Sequence, residues 1–537
     1  MKKNFKQKAI LMITAMLLTA CGSQNVQQSE DTANEVTEKI NIEEATEIKL
    51  SDETITVAGA EISTSENDAV YMANDIVYYE AGHDFTYGEG TEEESHTEEE
   101  AKEHTVVHIT EPGMYSVTGE LSKGQIAIDL GEEAEEDPDA VVTLMLNDVD
   151  INCEVAPAVI FYNVYECGSK EEADAVNTVD TEKAGANVYI MNGTENNITG
   201  SHVAKIYESY ELSEDGTEVA DSKKLHKYDA AFYSKMTMNV DGADNTTGTL
   251  NINADNEGLD SELHLTVNGG NINIQSGNDG INTNEDGISV TTVNGGNLNI
   301  HVTGETGEGD GIDSNGWLVI NGGTVTAEAC SKSGDAGIDS DMGIHINGGN
   351  VVATGNMLDR ISESKQNYVV MSFAKSQSAG ETYNLKNEND EIVASATPGN
   401  DFTHIILSND KLIEGTYTFW QGEEQLSGAD GQMGGGRLPG NGEMPEGMEK
   451  PENDEMPEGM EKPENDEMPE RMKKPEDSKM PEGMEKPEDG KMPEGMEMPE
   501  GAEPPQGDFG GRGLINVEVS KEFAISANGN YYSNVAL

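Results

Sequence analysis

The chain has 537 residues, a formal net charge of −71, 59 glycines and only 5% aromatic residues. Charge of that sign and size excludes nucleic acid and bare anionic membrane as partners, since both would be repelled within a Debye length. An anionic polymer would be repelled as well unless divalent cations bridged the two, which leaves cationic partners and metal ions open.

Lys2, Lys3, Lys6 and Lys8 precede an apolar run at residues 9–18. That run is too short to span a bilayer and has the length of a signal-peptide core, so residues 1–20 are predicted to be a signal peptide. Leu18-Thr19-Ala20-Cys21 resembles the lipobox of bacterial lipoproteins. The resemblance implies lipidation at Cys21 and an extracellular chain anchored to the cell membrane through lipid alone. Residues 21–47 are polar, acidic and patternless, and read as a flexible tether. Alternating apolar positions start at Ile48, Leu50, Ile55 and Val57, pause through the acidic stretch 91–103, and resume at Val106. Segments 125–130 and 141–146 have the period and length of strands. Cys153, Cys167 and Cys330 are an odd set: a Cys153–Cys167 bridge and free buried thiols are both compatible with the spacing.

Asn-Gly-Gly then recurs at Asn268, Asn294, Asn321 and Asn347, at intervals of 26, 27 and 26 residues, with Asp241-Gly242 one interval upstream. A repeat of this length built from strands and turns fits one coil of a parallel β-helix. Val267, Val293, Ile320 and Ile346 precede the turns, and Ile272/Ile274, Leu298/Ile300, Val325/Ala327 and Val351/Ala353 follow them. These period-2 pairs should face inward and stack, while Thr266 should face outward and accept a charge. The four asparagines should form an amide ladder along the stack. Gly-[Ile/Leu]-[Asp/Asn]-[Ser/Thr] recurs at residues 258–261, 280–283, 311–314 and 337–340. The expected fold is therefore all-β, with a parallel β-helix over 48–364 and a small β cap from 365–430 and 513–537. Between the cap segments, residues 431–512 hold a twelve-residue Met-Pro-Glu array starting at Met444, Met456, Met468, Met480 and Met492. Its prolines block helix and ladder, so it reads as an extended or disordered spacer.

Residues 109–121 (Ile-Thr-Glu-Pro-Gly-Met-Tyr-Ser-Val-Thr-Gly-Glu-Leu) resemble the entry motif of a bacterial family of carbohydrate-binding β-helix proteins. Asn192-Gly193-Thr194-Glu195-Asn196 and the Asn-Gly-Gly and Asp-Gly-Ile repeats are also similar to that family's. The resemblance covers roughly residues 48–425 and departs at 164–185 and 203–227, which look like insertions. It implies a right-handed, pectate-lyase-like parallel β-helix with bound calcium and non-catalytic binding of cellulose or pectin-like polysaccharide.

The residues themselves support part of this. Asp260, Asn282, Asp313 and Asp339 share one repeat position, and Asp279 and Asp310 share another. Equivalent positions on neighbouring coils lie about 4.8 Å apart. Two carboxylates at that spacing repel by roughly 3–4 kcal/mol at an effective dielectric of about 20. Calcium, which takes six to eight oxygen ligands, would relieve the column, with Glu305 and Glu308 nearby; Asx turns are the alternative use of such residues. For sugar stacking, Trp317 shares an outward column with His264 and Val290, and His345 stands two positions along. Tyr228, Phe232 and Tyr233 are further aromatic candidates. The competing reading is a calcium-dependent lyase, which needs a Lys or Arg base; between Tyr228 and Met357 only Lys235 and Lys332 are available. A third is a structural or adhesive surface protein acting through the methionine array, whose thioethers would suit Cu(I). The expectation is a monomeric, calcium-stabilised, non-catalytic polysaccharide-binding lipoprotein.

Overall fold

The computed structural model describes residues 44–213, 215–242, 248–431, 519–527 and 529–536. The predicted signal peptide, Cys21, the tether as far as residue 43 and the methionine array lie outside the described residues. The chain divides into Met1–Glu44 and Ala45–Leu537, and every strand among the described residues lies in the second unit.

The described chain is all-β apart from two short 3-10 turns and the five-residue helix Glu98–Lys102. That helix starts inside the acidic stretch that interrupts the alternating pattern. It forms because Thr97 Oγ1 accepts the Glu100 N–H while the Glu100 carboxylate accepts the Thr97 N–H, so two otherwise orphaned donors are satisfied.

Three parallel ladders build the body of the molecule. The first runs from the start of Val142–Asn152 through Ala186–Ile190, Met238–Gly242, His264–Val267, Val290–Val293 and Trp317–Ile320 to Gly343–Ile346. The second runs from the end of Val142–Asn152 through Glu195–Gly200, Thr249–Ala254, Asn271–Ser276, Asn297–Val302 and Thr324–Glu328 to Asn350–Gly355. The third passes through Thr105–Ile109, Gly124–Asp129, Val159–Asn163, Ala230–Ser234, Glu257–Ser261 and Ile281–Thr283, then continues as single bridges at Ile312 and Ile338.

Register follows the repeat. Val267 pairs with Val293, Val293 with Ile320 and Ile320 with Ile346, and all four are buried. Ile272, Leu298, Val325 and Val351 form the matching column of the second ladder. Each such side chain contributes about 1.5–3 kcal/mol by leaving water. Between the two ladders the Asn-Gly-Gly turns stack as expected. Asn294 donates to Asn268, Asn321 to Asn294 and Asn347 to Asn321, at 2.9, 3.0 and 3.0 Å. The second glycine is required: Gly270 sits at φ +91°, and a Cβ there would lie 2.6 Å from Ile190 Cδ1.

Thr46–Leu50 pairs in parallel with Gly113–Leu121 at one end. At the other, Phe402–Ser408 lies antiparallel on Asn350–Gly355, satisfying an edge that would otherwise expose unpaired backbone. Phe373, Tyr383, Phe402, Phe419 and Phe523 pack there into a separate aromatic core. Residues 203–227 hold the antiparallel hairpin Tyr207–Leu212/Val219–Lys224. The three described cysteines are free, with Cys153 and Cys330 buried, so there is no Cys153–Cys167 bridge.

Candidate functional site

The third ladder brings the acidic repeat positions together. Glu257, Asp279 and Asp310 occupy one column and Asp260, Asn282, Asp313 and Asp339 the next, because Asp260 pairs with Asn282 and Ile281, Ile312 and Ile338 bridge in turn. Asp310, Asp313 and Asp339 place one carboxylate oxygen each within 4.8 Å of one another. The Asp310 N–H donates to Asp279 Oδ1 at 2.6 Å, and the Ala336 N–H donates to Asp310 Oδ1 at 2.5 Å. These two bonds join groups 31 and 26 residues apart, so they are not the local bonds of Asx turns. Asp335, Asp341 and Asp359 complete the surroundings: Asp335 accepts from the Gly309 N–H, and Asp359 from the Ser340 N–H.

Burial dominates the electrostatics, and the neighbouring carboxylates add to it. It pushes Asp310 up to about 10 and Asp279, Asp313 and Asp339 up to about 7. Without a cation, these groups keep protons that a solvated aspartate would have lost.

A second focus lies one repeat earlier. Asn282 Nδ2 donates to Glu257 Oε1 at 3.1 Å, and Asn284 Nδ2 donates to Asp260 Oδ1 at 2.8 Å. Glu257 Oε2, Asp260 Oδ2 and Asn282 Oδ1 are buried with no partner. Burial holds the Glu257 and Asp260 carboxyls well above the usual range. Three orphaned oxygens at one place are costly unless a proton or a cation serves them. The first focus offers carboxylate oxygens and the second carboxylate and amide oxygens. Such a set suits a hard divalent cation such as calcium and not a thiophilic one.

Glu257 escaped the reading of the sequence although it stands three residues before Asp260, as Asp279 does before Asn282; the repeat itself carries that signal. Asp335, Asp341 and Asp359 belong to connecting loops and carry no such signal. Of the two flanking glutamates, Glu308 acts on Asp279, while Glu305 lines a separate cleft of about 340 Å³ beside Asn253, Asp255 and Gln275.

The sugar-stacking candidates fare differently. Trp317 stands half-exposed in one column with His264 and Val290, and His345 lies two positions along, as the register requires. Residues 164–185 cross this face. Thr181 Oγ1 donates to Thr266 Oγ1 at 2.9 Å, and Asn177 Nδ2 bonds His345 Nε2 at 3.2 Å. His264 is only 3% exposed, and its Nδ1 accepts the Val290 N–H at 3.1 Å. It packs so closely on the crossing segment that a Cβ at Gly168 would lie 2.7 Å from its ring. Thr266, read from strand parity as open to solvent, is 4% exposed beneath the same segment, which corrects that expectation. Tyr233 is buried too, with its hydroxyl donating to Glu262 at 2.8 Å.

A family profile described as "Carbohydrate-binding domain-containing protein" matches residues 103–397. A protein of that same description from Acetivibrio thermocellus is 30% identical over 172 residues. The match takes in 32% of this chain and 45% of that protein, so it spans less than half the relative's length. The structure of a polysaccharide lyase-like protein from C. thermocellum, a gadolinium derivative, aligns with 60% of this chain and 99% of its own at 19% identity and a TM-score of 0.33. With its profile match running through all three ladders, the chain belongs to the carbohydrate-binding domain-containing protein family.

Proposed function

We propose that this protein binds polysaccharide without cleaving it, on a right-handed parallel β-helix held by calcium, and that Cys21 anchors it outside the cell as a lipoprotein. Membership of a carbohydrate-binding family over residues 103–397 is the observation that carries the binding reading. Parallel ladders whose partners recur one repeat apart support the β-helix, as do the inward columns and the amide ladder. The calcium reading rests on the Asp310, Asp313 and Asp339 cluster and on the orphaned oxygens of Glu257, Asp260 and Asn282. Calcium bound there would neutralise charge that burial otherwise forces into protonated form.

Binding is preferred to lyase chemistry because the nearby amines are engaged. Lys205 pairs with Asp229 at 3.1 Å and Lys227 with Glu262 at 3.2 Å. Burial alone would lower both amines, but the paired carboxylates outweigh it and raise them, the wrong direction for a general base. Lys235 donates to Glu135 and Lys332 to the Gly304 carbonyl. The test is retention of the full chain on insoluble polysaccharide, with the supernatant assayed for unsaturated ends. Retention without such products is expected; accumulating products would establish the lyase instead.

A further inference from the structure

The second ladder presents an ordered amide face that the acidic centre does not use. Its outward positions form columns: Asn271 over Asn297; Asn197, Asn251, Asn273 and Asn299; and Thr199, Asn253 and Gln275. All of these side chains are half-exposed or exposed. In the middle column Asn251 donates to Asn197, Asn273 to Asn251 and Asn299 to Asn273, at 2.9, 2.8 and 3.0 Å. Asn297 donates to Asn271 at 2.7 Å.

Two features make this more than a structural seam. An amide has two N–H donors and two acceptor sites, and a ladder bond uses one of each. The interior asparagines therefore keep one donor and one acceptor while their rotamers are already fixed, which removes much of the ordering cost of binding. The asparagine, threonine and glutamine side chains of this face are uncharged on a chain of net charge −71, with His301 at the end of the third column the titratable group among them. Carboxylates stand only at its margins, as Asp150, Glu195, Asp255, Glu305 and Glu328. The outer face of the first ladder, by contrast, is covered by residues 164–185.

We propose that the amide face of the second ladder is the surface on which an uncharged polysaccharide chain lies, its hydroxyls serving as paired donors and acceptors to the asparagine columns. This inference rests on the polysaccharide-binding reading and names the surface and ligand class within it. A hydroxyl, which both donates and accepts, matches what Asn251 and Asn273 have left. An anionic chain would instead meet the rim of carboxylates. No Phe, Tyr or Trp lies in the three columns, and the ring of His301, next to Gln275 in the third, is held by Glu328, so hydrogen bonding repeated along an extended ligand supplies the affinity, not ring stacking.

The experiment uses the full chain, with microcrystalline cellulose as the uncharged probe and polygalacturonate with calcium as the acidic one. The Asn253→Ala/Gln275→Ala variant removes exposed amides outside the ladders, and Asn273→Asp/Asn299→Asp places charge in the middle column. Asn177→Ala, on the segment covering the first ladder, is the control. Wild type should be retained on cellulose. Both face variants should lose at least about tenfold in affinity, with the alanine variant melting within a few degrees of wild type and the control unchanged. If the aspartate variant fails to fold, the alanine variant decides. A folded alanine variant that binds cellulose like wild type would overturn the surface assignment while leaving polysaccharide binding intact. Wild type retained by polygalacturonate and not by cellulose would overturn the ligand class, and wild type retained by neither would overturn the binding reading itself.

Discussion

Replacing Asp313 with Asn removes one of three carboxylates whose oxygens lie within 4.8 Å of one another. Two full charges at that distance repel by about 3.5 kcal/mol at an effective dielectric of about 20. Asp310, pushed up to about 10, holds a proton at mildly alkaline pH, so the repulsion removed is mainly that between Asp313 and Asp339. In chelator near pH 8 the variant should therefore be more stable than wild type, by roughly 1–3 kcal/mol after solvent screening. Calcium reverses the order. A cation that binds only the folded chain adds about 2.7 kcal/mol at a hundred times its dissociation constant, and the variant should lose most of that gain. Magnesium should substitute poorly, since it demands a tight octahedron and gives up water reluctantly. The assay is the melting midpoint of both proteins at fixed ionic strength, in chelator and across a calcium titration. A wild-type midpoint indifferent to both conditions would rule out a cation at this cluster, as would a variant with an undiminished calcium response.

Ile320→Asp puts a charge into a fully buried column between Val293 and Ile346, and should cost upwards of about 4 kcal/mol, read as loss of the cooperative melt. Thr266→Asp should cost about 2–4 kcal/mol, because it buries a charge beneath Thr181, whereas Thr326→Asp on the half-exposed outer side of the second ladder should stay within about 0.5 kcal/mol in the same denaturant titration. In chelator the protein should be more stable at pH 5 than at pH 8. Asp313 and Asp339, raised to about 7 by burial, contribute stability that is fully present below the ordinary carboxylate value and is lost as pH rises through 7; saturating calcium should flatten or invert that slope. Cys21→Ser should move the protein from the membrane fraction to the soluble fraction or leave it unprocessed, as fractionation would report.

The stacked part of the fold was legible because a stack writes the same requirement once per turn. Asn294 and Asn321 must each accept and donate along one line that Asn268 and Asn347 end, and Val267, Val293, Ile320 and Ile346 must each fill one dry column, so the spacing of 26 or 27 residues survives in the sequence. The acidic columns were legible for the same reason. The loops that close over them were not, because Asp335, Asp341 and Asp359 answer to no repeat. The sharpest gap between sequence and structure lies at Thr266 and His264. Strand parity places both outside the stack, yet residues 164–185 cover them through isolated bonds such as Thr181 to Thr266. A segment without periodicity that packs through single contacts leaves no pattern to read. The capping box Thr97/Glu100 was present in the sequence but was masked by the acidic run around it.

Whether calcium-loaded coils bind polysaccharide without cleaving it can be decided by one titration. The full chain would be titrated with soluble glycans, neutral and acidic, in saturating calcium and again in chelator, with every mixture checked for chain scission. Saturable binding in calcium is expected, with weaker binding in chelator as the coils lose stability, and glycan of unchanged length in both. Glycan shortened in calcium, or affinity for every glycan unchanged by chelator, would overturn calcium-dependent, non-catalytic binding.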